Sequence, residues 1–136
     1  MSSFKKATKE KAKLRLALFG VSGSGKTYTA LRLAKGIGEK IAVIDTERNS
    51  ACKYSDRFDF DVCDVKKPSI ENLKMLIDEA RGYDVLIIDS MTHCWLELLQ
   101  EVEKLAKIKF GGNTWSAWSE GTPKQMSLIN ALLDFP

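Results

Sequence analysis

The sequence predicts an α/β protein of three layers, with a mostly parallel sheet between layers of helices. Two observations support this class. Apolar runs of about six residues, the length of buried strands, occur at 14–19, 40–45 and 85–90. Segments with apolar residues at helical spacing follow these runs, and strands that alternate with helices form parallel sheets. The chain has 136 residues, which is enough for one modest domain.

The segment that follows the first predicted strand carries the most specific signal. Residues 20–27 read Gly-Val-Ser-Gly-Ser-Gly-Lys-Thr and fit the P-loop, or Walker A, pattern G-x-x-x-x-G-K-[ST]. Glycines let the backbone turn tightly around a phosphate, and the N–H groups of the following helix face the anion. A turn that only joins strand to helix is the structural alternative.

The residue types in this loop predict ATP and Mg²⁺ as ligands. Lys26 can reach the β- and γ-phosphates as a point charge, and Thr27 can offer its hydroxyl to Mg²⁺. The predicted nucleotide-binding residues are Gly20, Val21, Ser22, Gly23, Ser24, Gly25, Lys26, Thr27 and Tyr28.

The remaining elements are predicted from apolar periodicity, capping residues and turn residues. After the glycine loop, a helix runs to about Lys35 with a left-handed cap at Gly36 and Gly38, and a buried strand follows at 40–45. An irregular stretch at 48–59 leads to an edge strand at 60–65, a helix from a Ser69 cap to Gly82 and a buried strand at 85–90. The chain continues with a helix over 95–106, a loop at 111–121 and a last helix that begins at Thr122-Pro123, with Met126, Ile129, Leu132 and Leu133 inward.

Two acidic residues are predicted at the carboxyl edge of the sheet, where open α/β sheets bind nucleotides. Asp89 follows four apolar residues, which is the Walker-B pattern, and it can hold Mg²⁺ there, mostly through water. Glu47 comes directly after the second buried strand, where a carboxylate can orient or deprotonate the water that attacks the γ-phosphate. Their structural alternatives are a helix cap or surface acid for Asp89 and an ion pair with Arg48 for Glu47.

Composition excludes several classes of protein. No apolar run approaches the roughly 20 residues of a membrane span, and the N-terminus lacks the apolar region of a secretory signal. Cys52, Cys63 and Cys94 have no C-x-x-C spacing, which favours reduced thiols in the cytoplasm. No metal-ligand cluster forms around His93, so we assign it and the cysteines to packing.

The chain divides into a basic arm, residues 1–13, and a domain over 14–136. Six basic residues and one acidic residue lie in the first fifteen positions. Such an arm either contacts nucleic acid or is simply solvated. Two interpretations are also open for Trp115 and Trp118. Their indoles either stack on unpaired bases of DNA or pack on the helix that holds Trp95.

Two segments carry a resemblance to a known family. Ile44-Asp45-Thr46-Glu47 and Leu86-Ile87-Ile88-Asp89-Ser90 together resemble the RecA-like branch of P-loop ATPases, in which the catalytic glutamate ends the strand after the P-loop helix. More closely, the chain resembles phage- and prophage-encoded AAA-family ATP-binding proteins linked to recombination. The matching segments are 13–33, 40–51, 83–95 and 112–123.

The resemblance implies ATP binding, Mg²⁺-dependent hydrolysis, single-stranded DNA as a partner and the cytoplasm of a bacterial host. It implies catalytic roles for Glu47 and Lys26, and metal contacts from Thr27 and Asp89. Asn49 stands where the family has glycine. A second copy of the chain remains open as a further partner.

The resemblance also implies one more strand, with a polar sensor residue, between the P-loop strand and the Walker-B strand. The sequence ends at Pro136, before that strand. We therefore expect an N-terminal fragment whose sheet lacks its C-terminal strands, with strands 14–19 and 85–89 either paired directly or separated by a gap.

Two other functions remain compatible with the motifs. The first is a nucleotide-binding module that hydrolyses ATP poorly. The second is a small P-loop kinase that phosphorylates a nucleoside or metabolite. Product analysis separates them, because an ATPase releases phosphate and a kinase yields a phosphorylated acceptor.

Overall fold

The computed structural model describes residues 2–9 and 11–136. Over these residues the chain forms four α-helices, two short 3-10 helices and three strands. The predicted α/β class, with a parallel sheet and flanking helices, is confirmed. The elements are α1 (Lys26–Ile37), β1 (Ile41–Asp45), a 3-10 helix (Ala51–Tyr54), β2 (Asp61–Asp64), α2 (Ile70–Glu79), a second 3-10 helix (Ala80–Gly82), β3 (Val85–Asp89), α3 (Thr92–Lys109) and α4 (Thr114–Leu133).

The three strands form a parallel sheet in the order β2-β1-β3. Every residue of the central strand β1 is buried, while β2 is an exposed edge strand, as its alternating sequence predicts. The register places Asp45 beside Asp64 on one side and beside Asp89 on the other. Because the strands are parallel, their carboxyl ends meet at one edge, and the segments that follow β1 and β3 start as neighbours.

Helices cover both faces of the sheet unequally. On the first face, which we call the three-helix face, α2, α3 and α4 pack against Ala42 and Ile44 of β1. On the second face, α1 packs against Ile41 and Val43 with the 3-10 helix that begins at Ala51. The buried side chains of the three-helix face include Ile70, Leu73, Ile77, Cys94, Leu98, Val102, Ala106, Ala117 and Leu128.

The strand predicted at 14–19 is absent, and this prediction was wrong. Residues 14–19 have no regular secondary structure, and Leu16 and Phe19 are 57% and 93% exposed. The Arg15 guanidinium instead donates to the carbonyl oxygens of Leu133 and Phe135, so the segment lies beside the end of α4. An apolar run becomes a buried strand only where a neighbouring strand accepts its backbone hydrogen bonds. Among the described residues, none pairs with this run.

The loop predicted at 111–121 is largely helical, so α4 begins earlier than Thr122-Pro123. Asn113 caps the helix by accepting a hydrogen bond from the N–H of Ser116 at 3.1 Å. The helix runs through Pro123, although proline cannot donate a backbone hydrogen bond there. Packing against α3 holds the two sides of the proline in one helix.

The start of α4 also changes which of its residues face inward. Ala117, Gly121 and Leu128 are buried, whereas Met126 and Leu133, which were predicted inward, are about half exposed. A methyl group on Gly121 would lie 2.6 Å from Val102 Cγ2, so glycine permits the close approach of α3 and α4.

The end of α1 differs from its predicted left-handed cap. Gly36 lies within the helix, and Gly38 has an extended backbone with φ of −156°. A Cβ on Gly38 would lie 2.4 Å from the Cβ of Asp84, so this glycine serves close packing rather than a left-handed turn.

The described residues of the arm, 2–9 and 11–13, are exposed and form no helix or strand. Met1 and Glu10, which belong to the predicted arm, lie outside the described residues. None of the helices in the described part of the chain combines the length and apolar character needed to cross a membrane.

Candidate functional site

The glycine loop, residues 20–25, reaches its shape through left-handed glycines. Gly23 and Gly25 have φ of 78° and 89°, a region that L side chains rarely adopt, and Gly25 is the residue from which α1 starts. The loop backbone is exposed, and the first N–H groups of α1 have no acceptor within the helix. The loop therefore presents N–H groups and a helix N-terminus to solvent, which is a suitable arrangement for a phosphate.

Lys26 lies against the start of this loop. Its Nζ donates to the carbonyl oxygens of Gly20 and Val21, each at 2.9 Å. An ammonium group has three protons, so one donor remains after these two bonds. The contacts hold a positive charge at the loop, close to where it would meet a phosphate.

The first turn of α1 meets the end of β3 through one short hydrogen bond. The Thr27 hydroxyl donates to Asp89 Oδ2 at 2.6 Å. The two residues are 62 positions apart in the chain and belong to different elements. The two side chains predicted to contact a metal are thus brought together, and both are hard oxygen donors of the kind that Mg²⁺ prefers.

The turn after β1 is closed by Asp45. Its carboxylate is fully buried and accepts hydrogen bonds from the N–H of Glu47 at 2.7 Å and of Ala51 at 3.0 Å. Between them, Arg48 and Asn49 adopt left-handed conformations with φ of 57° and 62°. Asparagine tolerates this region better than most residues, which explains how it occupies a position where glycine was expected.

Hydrogen bonds join this turn to the end of β3. The Thr46 hydroxyl donates to the carbonyl oxygen of Ser90 and accepts from its N–H, both at 2.9 Å. The N–H of Thr46 donates to the carbonyl oxygen of Asp89 at 2.7 Å. These bonds fix Glu47 at the same sheet edge as Asp89, where the sequence predicts it.

The Glu47 carboxylate has two side-chain partners from the chain after β3. The Ser90 hydroxyl donates to Oε1 at 2.9 Å, and His93 Nε2 lies 3.3 Å from the same oxygen. The Glu47 side chain is 40% exposed, so solvent reaches it. The alternative ion pair with Arg48 does not form.

Sequence reasoning missed Ser90 and His93 as neighbours of the glutamate. His93 was assigned to packing, yet its side chain is 42% exposed and contacts Glu47. A usable signal existed, because α3 starts three residues after Asp89 and its first turn must therefore lie at the same sheet edge.

Tyr28 packs away from the glycine loop. Its ring makes edge-to-face contacts with Tyr54 and Phe58, with centroids 5.9 and 5.5 Å apart. About a third of the residue remains exposed. The nucleotide contact predicted for Tyr28 stays a prediction.

A groove of about 560 Å³ opens on the other side of the Glu47 turn. It lies between the ends of β1 and β2 and the start of α3. Its lining is mixed in charge and takes no residue from the glycine loop. Polar lining residues are Thr46, Arg48, Asp64, Lys66, His93, Glu97 and Gln100.

The two tryptophans predicted to share a loop have different environments. Trp118 stacks on Trp95 with ring centroids 5.6 Å apart, which is the packing alternative. Trp115 is 86% exposed in the first turn of α4. Trp115 is therefore the more accessible of these two rings for contact with another molecule.

Comparison with known proteins shows the family of the chain. A family model described as an AAA domain matches residues 12–136, which is nearly the whole chain. Comparisons with curated proteins and with solved structures found no match.

Proposed function

The chain belongs to this family of AAA domains, and from that premise we propose that it binds ATP with Mg²⁺ and hydrolyses it to ADP and phosphate. The observation that carries the proposal is the 2.6 Å hydrogen bond from Thr27, in the first turn of α1, to Asp89 at the end of β3. It joins a carboxylate from the end of β3 to a hydroxyl at the N-terminus of α1, and the neighbouring residue Lys26 supplies a cation that contacts the glycine loop. This is the combination that Mg-nucleotide chemistry requires.

The donor set fits Mg²⁺. This ion binds proteins through one or two carboxylates, with substrate phosphates and water completing its coordination. Thr27 and Asp89 would hold it, and the ion would neutralise charge on the phosphates. Lys26 would exchange its two carbonyl contacts for phosphate oxygens, and the loop N–H groups would bind the same anion.

Glu47 is the residue we propose as the base. It lies at the carboxyl edge of the sheet with its side chain partly open to solvent. In hydrolysis, the water oxygen bonds to the γ-phosphorus, the bond from phosphorus to the bridging oxygen breaks, and ADP leaves. The water proton passes to the Glu47 carboxylate.

ATP binding tests the loop assignment. Lys26→Ala should weaken the binding of Mg-ATP by a few kcal/mol, because charge-assisted hydrogen bonds contribute about 1.5–3 kcal/mol each. Titration of labelled ATP measures it. Lys35→Ala, at the exposed end of the same helix, is the matched control. Equal affinities for wild type and Lys26→Ala would exclude the loop as the nucleotide site.

Hydrolysis tests the two carboxylates separately. Glu47→Gln keeps the shape of the side chain but removes its basicity, so binding should persist while turnover falls. Asp89→Asn should instead change the dependence of activity on Mg²⁺ concentration. Phosphate release measures both, and appearance of a phosphorylated acceptor in place of free phosphate would identify a kinase.

We also propose that a further strand pairs with the outer edge of β3 in the active protein. Among the described residues, β3 has a strand partner only on the β1 side, and its side chains are half buried while those of β1 are fully buried. A strand there would cover this edge, and it would carry the sensor residue of RecA-like ATPases.

Thermal melting tests the missing strand. The 136-residue chain should melt at a lower temperature than a version extended by one strand and a helix, and Mg-ATP should raise its melting temperature less. A cooperative melt of the short chain that Mg-ATP raises equally would contradict this proposal.

We further propose a role in phage recombination on single-stranded DNA. This role is implied by the resemblance to phage-encoded AAA-family proteins, and two features of the structure support it. Trp115 exposes an indole, and the arm over 2–9 and 11–13 is basic and exposed. A single-stranded oligonucleotide should quench the tryptophan fluorescence of the wild type more strongly at low salt than at high salt. At low salt, the quenching should be weaker in Trp115→Ala than in the wild type. Absence of quenching at low salt would remove DNA from the proposal.

A further inference from the structure

The Glu47 carboxylate is held through one of its two oxygens. Ser90 Oγ and His93 Nε2 both contact Oε1, at 2.9 and 3.3 Å, and neither contact involves Oε2. The Ser90 hydrogen bond holds Oε1 in place, with the His93 ring beside the same oxygen, and this gives the whole carboxylate a defined orientation. Oε2 is then the atom available to accept a proton from water.

The contacts come from the chain after β3, not from the turn that carries Glu47. Ser90 is bonded to Thr46 through both its N–H and its carbonyl oxygen, so its position relative to the turn is fixed. His93 lies in the first turn of α3, and the buried Cys94 and Leu98 anchor the first two turns of that helix. The two partners of Oε1 therefore sit on rigid elements.

Without these partners the glutamate would have considerable freedom. Its side chain is 40% exposed and has three rotatable bonds, so holding it in one orientation costs rotamer entropy. Catalysis by a base requires the reacting atoms to be held within hydrogen-bond distance in a narrow range of orientations. An activated base is commonly oriented by a third group, and His93 lies where such a group would.

We propose that His93 is a positioning residue that orients the Glu47 carboxylate for activation of the attacking water. The proposal rests on the proposed ATPase function, in which Glu47 is the base. His93 does not touch the nucleotide or the water; it acts through Oε1 of Glu47, and Ser90 shares this task.

The contact itself is testable without any turnover. His93 is the single histidine of the 136-residue chain, so its ring gives one set of NMR signals in that chain. These signals should shift in Glu47→Gln and remain in place in Glu103→Gln, an exposed acid on α3 away from the site. Unchanged signals in Glu47→Gln would overturn the proposal.

Turnover tests the consequence of the contact. His93→Ala should lower kcat by roughly ten- to a hundredfold, the range expected when a catalytic group is misplaced, with little change in the affinity for Mg-ATP. His93→Gln, which places an amide N–H near the position of Nε2, should recover part of the loss. Gln100→Ala, which changes the same groove without contacting Glu47, should keep the wild-type rate.

The outcomes separate this inference from the proposed function. If Glu47→Gln stops hydrolysis but His93→Ala leaves kcat unchanged, the positioning role is wrong and the ATPase assignment stands. If Glu47→Gln keeps the wild-type rate, the base assignment fails and the positioning role of His93 fails with it, whatever the NMR comparison shows of the contact. A thermal melt of His93→Ala that matches wild type excludes general unfolding as the cause of a lower kcat.

Discussion

The two sides of the candidate site are built in different ways. The glutamate side consists of the carboxyl ends of β1 and β3, where Thr46 and Ser90 join the two strand ends through hydrogen bonds and the Asp45 carboxylate closes the turn after β1. The phosphate side consists of the glycine loop and the run at 14–19 before it, and both are exposed. Local backbone shape and the Lys26 contacts give the loop its form, and the bond from Thr27 to Asp89 joins the two sides.

This difference separates stability from binding. The glutamate side is continuous with the buried core of the sheet, so changes near it should alter the free energy of unfolding. The loop side contributes little buried surface, so changes there should alter nucleotide affinity and leave folding nearly untouched. The following substitutions test this division in order of expected effect.

The largest effect is expected for the core of β1. Ile44 is 2% exposed, and Ile44→Ala should lower the free energy of unfolding by about 2–5 kcal/mol because it removes buried methyl groups and leaves a cavity. Leu16→Ala, in the exposed run, should change it by less than about 0.5 kcal/mol. Urea denaturation measures both. Equal losses would mean that residues 14–19 are packed in solution, and the comparison would fail.

A smaller effect is expected where α3 and α4 approach closely. Gly121→Ala should cost about 1–3 kcal/mol, because the new methyl group would meet Val102 and Trp118. Gly36→Ala in α1 is the matched control, because a Cβ at this position would have no atom within 4 Å. This substitution should stabilise the helix by about 0.5–1 kcal/mol. A stabilising Gly121→Ala would contradict the close packing of the two helices.

Removing a helix cap should have a still smaller effect. The Ser69 hydroxyl oxygen accepts a hydrogen bond from the N–H of Asn72, and Ser69→Ala should cost about 1 kcal/mol. Ser22→Ala, in the exposed glycine loop, should stay within about 0.5 kcal/mol of wild type. A loss of stability from Ser22→Ala as large as that from Ser69→Ala would show that the loop is part of the cooperative fold.

Thiol reactivity gives the finest comparison. Burial raises the pKa of the Cys94 thiol from 9.0 to about 11, with the nearby Glu71 and Glu97 charges adding to the shift. Cys63 is exposed on β2, so iodoacetamide at pH 8 should label Cys63 well before Cys94. Since the raised pKa favours the neutral thiol in the fold, this contribution to stability is present below pH 9 and is lost as the pH rises towards 11. Equal labelling rates would mean that the three-helix face opens readily.

The sequence predicted the elements whose partners lie within the described chain. β1 and β3 were recognised from apolar runs alone, and each is paired in the sheet. The run at 14–19 is also apolar, but among the described residues it has no neighbouring strand, and an apolar run does not report whether a partner strand exists. The apolar run therefore predicted a strand that pairing did not support.

The start of α4 shows a second limit of the sequence. Thr122-Pro123 has the residue types of a helix start, and local preference favoured that position. Packing of Ala117 and Gly121 against α3 extends the helix through the proline, with Asn113 as its cap. Tertiary contacts of this kind override local preference and cannot be read from spacing.

The candidate site was predictable in position but not in its contacts. The strand ends placed Glu47 and Asp89 at one edge, because parallel strands bring their carboxyl ends together. The approach of Ser90 and His93 to one oxygen of Glu47 depends on the angle at which α3 leaves β3. That angle follows from the packing of α3 against α2 and α4, which the sequence does not specify locally.

The turn closed by Asp45 has a consequence for chain length. Because one buried carboxylate binds the N–H groups of both Glu47 and Ala51, the number of residues between them is fixed. An inserted or deleted residue within 47–51 would leave one N–H without its acceptor and rotate the glutamate away from the sheet edge. Related sequences should therefore vary in length after Tyr54, on the way to β2, and keep an unbroken count from Asp45 to Ala51.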